Sequence, residues 1–145
     1  MSRADLAEVL EVEQAGYTHP WSAAMFLAEL EKPQARIDLL RIEGHLAGYL
    51  CSWFLCGELH ILNLVTAPAF RRQGVARRLL AHAIQCRRAQ GLERVLLEVR
   101  LSNAPAIGLY ERFGFCRDAV RKGYYPDGED AQLMSLSINQ YPPRD

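Results

Sequence analysis

The sequence carries no excess of either charge: 17 Lys and Arg stand against 17 Asp and Glu in 145 residues. Domains that bind nucleic acid by coating phosphates are usually strongly basic, so no direct nucleic-acid partner is expected. Cysteine is scarce and follows no metal-binding spacing. Cys51, Cys56, Cys86 and Cys116 form no C-x-x-C pair, and no histidine lies at a zinc-finger offset. No metal site is expected, and a reducing compartment is. Cys51 and Cys56 lie inside an apolar run and read as small core residues. The opening "MSRADLAEVLEVE" lacks the basic-then-apolar order of a signal peptide, and the apolar run at 45–56 is too short to span a bilayer. These absences predict a cytoplasmic chain with no membrane association. Repeats, low-complexity tracts and linkers are missing too, so residues 1–145 read as one domain with room for a real core.

What is present alternates between two periods. Leu6, Val9, Leu10 and Val12 have helical spacing, and Ser22 can cap a second helix bearing Met25, Phe26 and Leu30 before Pro33 stops it. Three apolar runs follow, "RIDLLRI", "HLAGYLCSWFL" and "LHILNLVT", joined at Glu43-Gly44 and Gly57. They predict an antiparallel meander. Ala76, Leu79, Leu80 and Ala83 then mark one face of a helix that Gly91 ends. "RVLLEV" reads as a strand, Ser102 or Asn103 caps a helix running to Phe113, and two strands flank the polar loop "GYYPDGED". The order predicts an α/β fold: a mixed, mostly antiparallel sheet flanked by helices.

The stretch "RRQGVARRLL" (71–80) puts a glycine between arginine pairs where the central helix starts. A helix N-terminus presents unpaired N–H groups and favours anions. Gly74 allows close backbone approach, and Arg71, Arg72 and Arg77 can add charge-assisted hydrogen bonds. A solvated arginine-rich helix face fits the same residues equally well. Neither GxxxxGK[ST] nor GxGxxG is present.

The run from Arg71 to Ala76, read as Q/R-x-x-G-x-G/A after a strand, resembles the acetyl-CoA pyrophosphate loop of the GNAT acetyltransferases. "LLEVRLSNAPAIGLYERFGF" (96–115) resembles their second signature. Together with "HPWS" and the late "YYP…EDA…M", it is similar to the branch that acetylates the N-terminal alanine of a ribosomal protein. The likeness covers nearly the whole chain, with Ala76 where many members have glycine. It implies the GNAT fold and acetyl-CoA as co-substrate. It also implies transfer of the acetyl group to the N-terminal α-amine of a small-subunit ribosomal protein. Cofactor contacts would fall to Leu64, Val65 and Thr66, to Arg72, Gln73, Gly74, Val75, Ala76 and Arg77, and to Asn103.

Two side chains carry the implied chemistry. Glu98 shares a strand face with Leu96 and Arg100, where a carboxylate is costly unless paired or used. By itself the pattern favours an ion pair with a neighbouring arginine, whereas the likeness implies a general base. Tyr110, seven residues beyond Asn103, lies on the same side of a two-turn helix as Asn103. Alone it reads as core filler with a wet hydroxyl, and by resemblance as the general acid beside the cofactor sulfur. Tyr124 and Tyr125 can line an acceptor groove. His19, His45, His60 and His82 show no mutual pattern, and His60, on one strand side with Leu62 and Leu64, reads as structural. A small-molecule amine acceptor, or a CoA-binding protein without turnover, are the alternative readings. A monomer is expected.

Overall fold

The structure, a computed structural model, describes residues 1–17 and 19–140. Helix α1 (Leu6–Gly16) follows a 3-10 turn in which the Asp5 carboxylate accepts the Ser2 backbone N–H at 2.8 Å. Helix α2 (Ala23–Glu31) starts where the Ser22 hydroxyl accepts the Met25 N–H at 3.2 Å, as its sequence predicts. It ends as Lys32 turns extended ahead of Pro33.

Strands β1 (Ala35–Ile42), β2 (His45–Leu55) and β3 (Glu58–Thr66) form the expected meander. Both turns place two residues in the left-handed region: Glu43 and Gly44 at φ 52° and 82°, Cys56 and Gly57 at 50° and 78°. Such turns match the right-handed twist of a hairpin. Cys56 is therefore an exposed turn residue, not a core residue, while Cys51 is fully buried. Helix α3 (Val75–Arg88), β4 (Arg94–Arg100), α4 (Ala104–Phe113), β5 (Cys116–Arg121) and β6 (Ala131–Ser137) complete the chain. The six-stranded order is β1-β2-β3-β4-β6-β5, antiparallel everywhere except between β3 and β4.

Helices cover both faces of this sheet. One face meets α3 and α4 through Leu79, Leu80, Ile84, Ile107 and Phe113, packed on Leu59, Val95 and Leu97. The other meets α1 and α2 through Val9 and Phe26, packed on Ile37, Tyr49 and Val65. The buried face of α3 begins at Val75, with Ala76 only half-buried and turned toward the helix flank. Helix and sheet meet most tightly at Gly48, where a Cβ would come within 2.5 Å of the Val65 carbonyl and 2.7 Å of Val75. No side chain fits there.

Two irregularities shape the centre of the sheet. Opposite β2, Ser52 pairs with Ile61 and Cys51 with Asn63, so Leu62 is an extra residue on β3. This bulge puts Leu62 on the α1/α2 side and Leu64 on the α3/α4 side, where simple alternation predicts one shared side. The parallel seam is the second. β3 and β4 pair only from Glu58–Arg94 to Ile61–Leu97, then diverge, although β4 stays paired with β6 to Arg100.

Candidate active site

Where β3 and β4 part, a cavity of about 830 Å³ opens, bounded by residues 61–64 on one strand and 97–100 on the other. In an antiparallel strand the N–H and C=O of one residue face the same edge. The Leu64 carbonyl accepts the Tyr17 hydroxyl at 3.3 Å across the cavity wall, so the Leu64 N–H also points into the gap. Val65 differs: its carbonyl lies against Gly48 of β2 and its side chain is buried on the α1/α2 side. Thr66 ends the strand, half-buried opposite Gly48.

Glu98 and Tyr110 both line this cavity, and they reach it from opposite faces. Val95, Leu97 and Val99 pack with α3 and α4, so strand alternation sends Glu98 to the α1/α2 side. Tyr110 belongs to the α3/α4 core, its ring edge-on to Phe115 at 5.6 Å. Burial pushes the Tyr110 hydroxyl well above its usual pKa and keeps it protonated. The partner of Glu98 is not an arginine. Its Oε2 lies 2.6 Å from Nε2 of His60, the neighbour delivered by the parallel seam, in which His60 pairs with Leu96. The nearby Arg100 is committed to the β5–β6 loop instead, at 2.9 Å from both Asp127 and Glu129, its guanidinium 4.1 Å from the Tyr125 ring centre. Spacing alone could not identify His60, because the pairing depends on the register between two strands separated by α3.

The same loop supplies Tyr125 to the cavity, where burial raises its hydroxyl to about 12, while Tyr124 stays largely exposed beside it. Across the mouth, burial and then the charge of Glu13 push Tyr17 up to about 12. Glu13 is a group that the sequence reading missed. Almost fully buried in α1, it accepts the Asn63 amide at 2.9 Å, the Trp21 backbone N–H at 2.8 Å and the Tyr49 hydroxyl. It thereby ties α1, β2, β3 and the turn before α2 into one wall. Its signal in the sequence was a glutamate on the apolar side of α1, three residues after Leu10.

The arginine-rich loop lies beyond this cavity, at the start of α3. Arg72 (φ 63°) and Gly74 (φ 74°) are both left-handed, and no protein atom lies within 4 Å of a Cβ built on Gly74. Gly74 caps α3 without a side-chain hydrogen bond, and the first helical bond is Arg78 N–H to Gly74 C=O. That leaves the first-turn N–H groups of Val75, Ala76 and Arg77 without helical partners, facing open space. Asn103 caps α4 by accepting the Ala106 N–H at 3.2 Å and also lines the cavity. Among the described residues, no group of three or more His, Cys, Asp or Glu is arranged to hold a metal, and no helix is long and apolar enough to cross a membrane.

Comparison with known proteins agrees with this fold. A Bacillus subtilis (strain 168) protein, provisionally named a ribosomal protein bS18-alanine N-acetyltransferase, is 38% identical over 94% of this chain and 91% of its own length. The crystal structure of the ribosomal-protein-S18-alanine N-acetyltransferase from Escherichia coli superposes with a TM-score of 0.87. That structure is 35% identical, over 95% of this chain and 90% of the other. The fold also matches Arabidopsis thaliana NAA60 in complex with acetyl-CoA, at a TM-score of 0.83, 19% identity and 96% of both chains. The profile of the Acetyltransferase (GNAT) family matches residues 6–115, which span the bulged β3, the arginine-rich loop and both cavity-lining side chains. The chain belongs to the GNAT family of acetyltransferases.

Proposed function

We propose that this protein transfers the acetyl group of acetyl-CoA to the N-terminal α-amine of a protein, with the alanine terminus of a small-subunit ribosomal protein as its acceptor. The observation that carries this is the placement of Glu98 and Tyr110 on opposite faces of the sheet, meeting at one gap. An acyl transfer to an amine needs two protons handled at two places, and here a carboxylate and a phenol stand on either side of one opening. The named relatives from Bacillus subtilis and Escherichia coli supply the acceptor class.

The residues suit acetyl-CoA. The free N–H groups of Val75, Ala76 and Arg77, together with Arg72, Gln73 and the open space over Gly74, would hold its pyrophosphate. Leu64, Val65, Thr66 and Asn103 would flank the arm that enters the gap. When bound, acetyl-CoA supplies an electrophilic thioester carbonyl and a thiolate leaving group. Glu98 accepts a proton from the acceptor ammonium, directly or through one water, so that the amine is neutral for attack. The Leu64 N–H, aimed into the gap, is placed to polarise the carbonyl oxygen. Tyr110 remains protonated because it is buried. A thiol's ordinary pKa is about 8.5, below that of a phenol at about 10, so full proton transfer to sulfur is uphill even once the C–S bond has broken. The Tyr110 hydroxyl therefore first hydrogen-bonds the developing charge and yields its proton as the thiolate departs, and the second proton that the nitrogen loses on becoming an amide restores the phenol. Tyr125, on the α1/α2 side, offers a rigid amphipathic wall for the acceptor chain.

The test is a pair of peptides: one starting with alanine, and its N-blocked copy carrying an internal lysine. CoA release with the first and not the second is expected. Equal acetylation of both would overturn N-terminal specificity, and turnover only with polyamines or amino-sugars would move the enzyme to the small-molecule branch.

A further inference from the structure

Glu98 lines the cavity, yet the side chain that grips it does not. His60 stands behind the cavity wall with a third of its side chain exposed, against 19% for Glu98, and the two meet at 2.6 Å. The residues that flank this pair leave it little competition for a proton. On β4, Leu96 is apolar, and Arg100 points its charge at Asp127 and Glu129. On β2, the residue opposite His60 is Trp53, whose indole N–H is given to Glu29 at 2.6 Å. In the β5–β6 loop, desolvation and the Glu98 charge raise both the partly exposed Tyr124 and the more buried Tyr125, so neither hydroxyl takes up the Glu98 proton.

A base that takes one proton per turnover must lose it before the next. With acceptor and acetyl-CoA in the cavity, the water on that side of Glu98 is displaced. The exposed edge of His60 lies outside the residues that line the cavity and so stays open to solvent on the other side of Glu98. We propose that His60 is the relay that clears Glu98, carrying the acceptor's proton out of the back of the site to bulk water. This inference rests on Glu98 being the base of the reaction proposed above.

The steps balance without another reactant. The acceptor ammonium breaks one N–H bond, its electron pair stays on nitrogen, and Glu98 becomes a neutral acid. With the ring as its Nδ1–H tautomer, which proton exchange with water at its exposed edge supplies, that acid passes the proton from Oε2 to the free lone pair on Nε2 of His60, restoring the carboxylate and forming an imidazolium. The imidazolium returns a proton to water on its exposed side, and the ring is neutral again. The ordinary pKa values order these steps. A carboxylic acid ionises near 4.3, an imidazolium near 6.5 and an α-ammonium near 7.7–8.0. Transfer from ammonium to carboxylate alone is uphill by roughly three and a half units. Passing the proton on to an imidazole recovers about two of them, so the dyad is a stronger proton acceptor than the glutamate alone.

Two measurements test this. The first needs no acceptor: proton NMR titration of His60 in the unliganded protein and in Glu98→Gln. The ring resonances and their titration should change in the variant, because the facing carboxylate is gone. Resonances and a titration that stay unchanged overturn the dyad. The second compares steady-state kinetics of wild type, His60→Gln and His60→Ala, with thermal melts confirming that each is folded. Glutamine keeps a donor for Glu98 but cannot carry a proton. We expect kcat near neutral pH to drop by about ten-fold or more, with KM for both substrates within about two-fold of wild type. Added imidazole should restore the rate of His60→Ala in proportion to its concentration. Wild-type rates in both variants, or raised KM without imidazole rescue, overturn the relay. If wild-type protein fails on the alanine peptide, the acceptor assignment falls instead, and the titration alone then judges the dyad.

Discussion

The two faces of this sheet are built by different rules. The α3/α4 face is an apolar cluster running from Ala47 to Leu136, and the polar groups it offers a ligand are the free N–H groups at the start of α3 and the Tyr110 hydroxyl. The α1/α2 face buries carboxylates. Glu13 and Glu29 are nearly inaccessible there, Glu13 held by three donors and Glu29 by Lys32 and Trp53, whereas Asp38 is buried on the α3 side, between Arg36 at 2.6 Å and His82 at 3.9 Å. The contrast matches two kinds of ligand. A polyanion is gripped by backbone and arginine, which need only a correct helix start. A polypeptide end must be placed to within a fraction of an ångström, and buried hydrogen-bonded carboxylates fix wall geometry with a directionality that apolar packing lacks.

The sharpest way to separate the faces is to remove one proton handler from each. Glu98→Gln and Tyr110→Phe should each lower kcat by about 10²–10⁴. Raising the pH above the amine's own pKa should recover part of the first loss and none of the second. Parallel pH–rate profiles for both variants would erase the assignment of separate protons to separate faces. Next in size is the carboxylate wall itself. Glu13→Ala leaves the Tyr49 hydroxyl, the Asn63 amide and the Trp21 N–H without their acceptor, at a cost of about 3 kcal/mol or more in urea unfolding. KM for the peptide should rise more than KM for acetyl-CoA. The reverse order would mean that this wall serves the other ligand.

A smaller effect belongs to the α3 start. Gly74→Ala places a Cβ at φ 74°, a strain of about 1–2 kcal/mol, and also intrudes on the open space beside the first-turn N–H groups. Calorimetric titration should show acetyl-CoA affinity reduced well beyond what the stability change explains. Unchanged affinity in the folded variant would detach this loop from the cofactor. The smallest effect is pH-dependent. Asp127 is held below its usual value by the Glu129 N–H and by Arg100, and Glu129 by Ser102 and Arg100. Depressed carboxylates contribute stability above their unfolded pKa and lose it as pH falls through the folded one. The Tyr125 loop should therefore loosen as the solution is acidified below about pH 4, seen as faster amide exchange at Ser102 and Glu129. Loosening that begins near neutrality would implicate a different group.

Much of this was legible in the sequence, and the missing parts share a cause. The three-strand meander, the Ser22 and Asn103 caps and the stop at Pro33 follow from local chemistry, and each appears where the residues placed it. Glu98 stood out as a carboxylate among apolar neighbours, but its role as base, and any role for Tyr110, came from the family resemblance and not from the pattern. The identity of Glu98's partner was not visible, since His60 reaches it through a parallel register set by the whole α3 crossover. Leu64 changed faces because a single extra residue at Leu62 breaks the two-residue period on which strand reading rests. Glu13 drew no reading, although it sits on the apolar side of its helix. Its burial depends on three partners from β2, β3 and the turn before α2.

The short parallel seam has a further consequence, for the order in which the chain assembles. The meander closes through two-residue turns, so its pairs form at little entropic cost. Glu58 meets Arg94 only after α3 has folded back across the sheet. Contacts that close a long loop form late in folding, and interactions absent from the transition state govern the unfolding rate. Ile61→Val and Leu97→Val at the end of the seam should steepen or raise the unfolding arm of a stopped-flow chevron and leave the refolding arm nearly in place. That outcome would put completion of the reaction centre last in folding, at the joint between two half-sheets that have already taken shape.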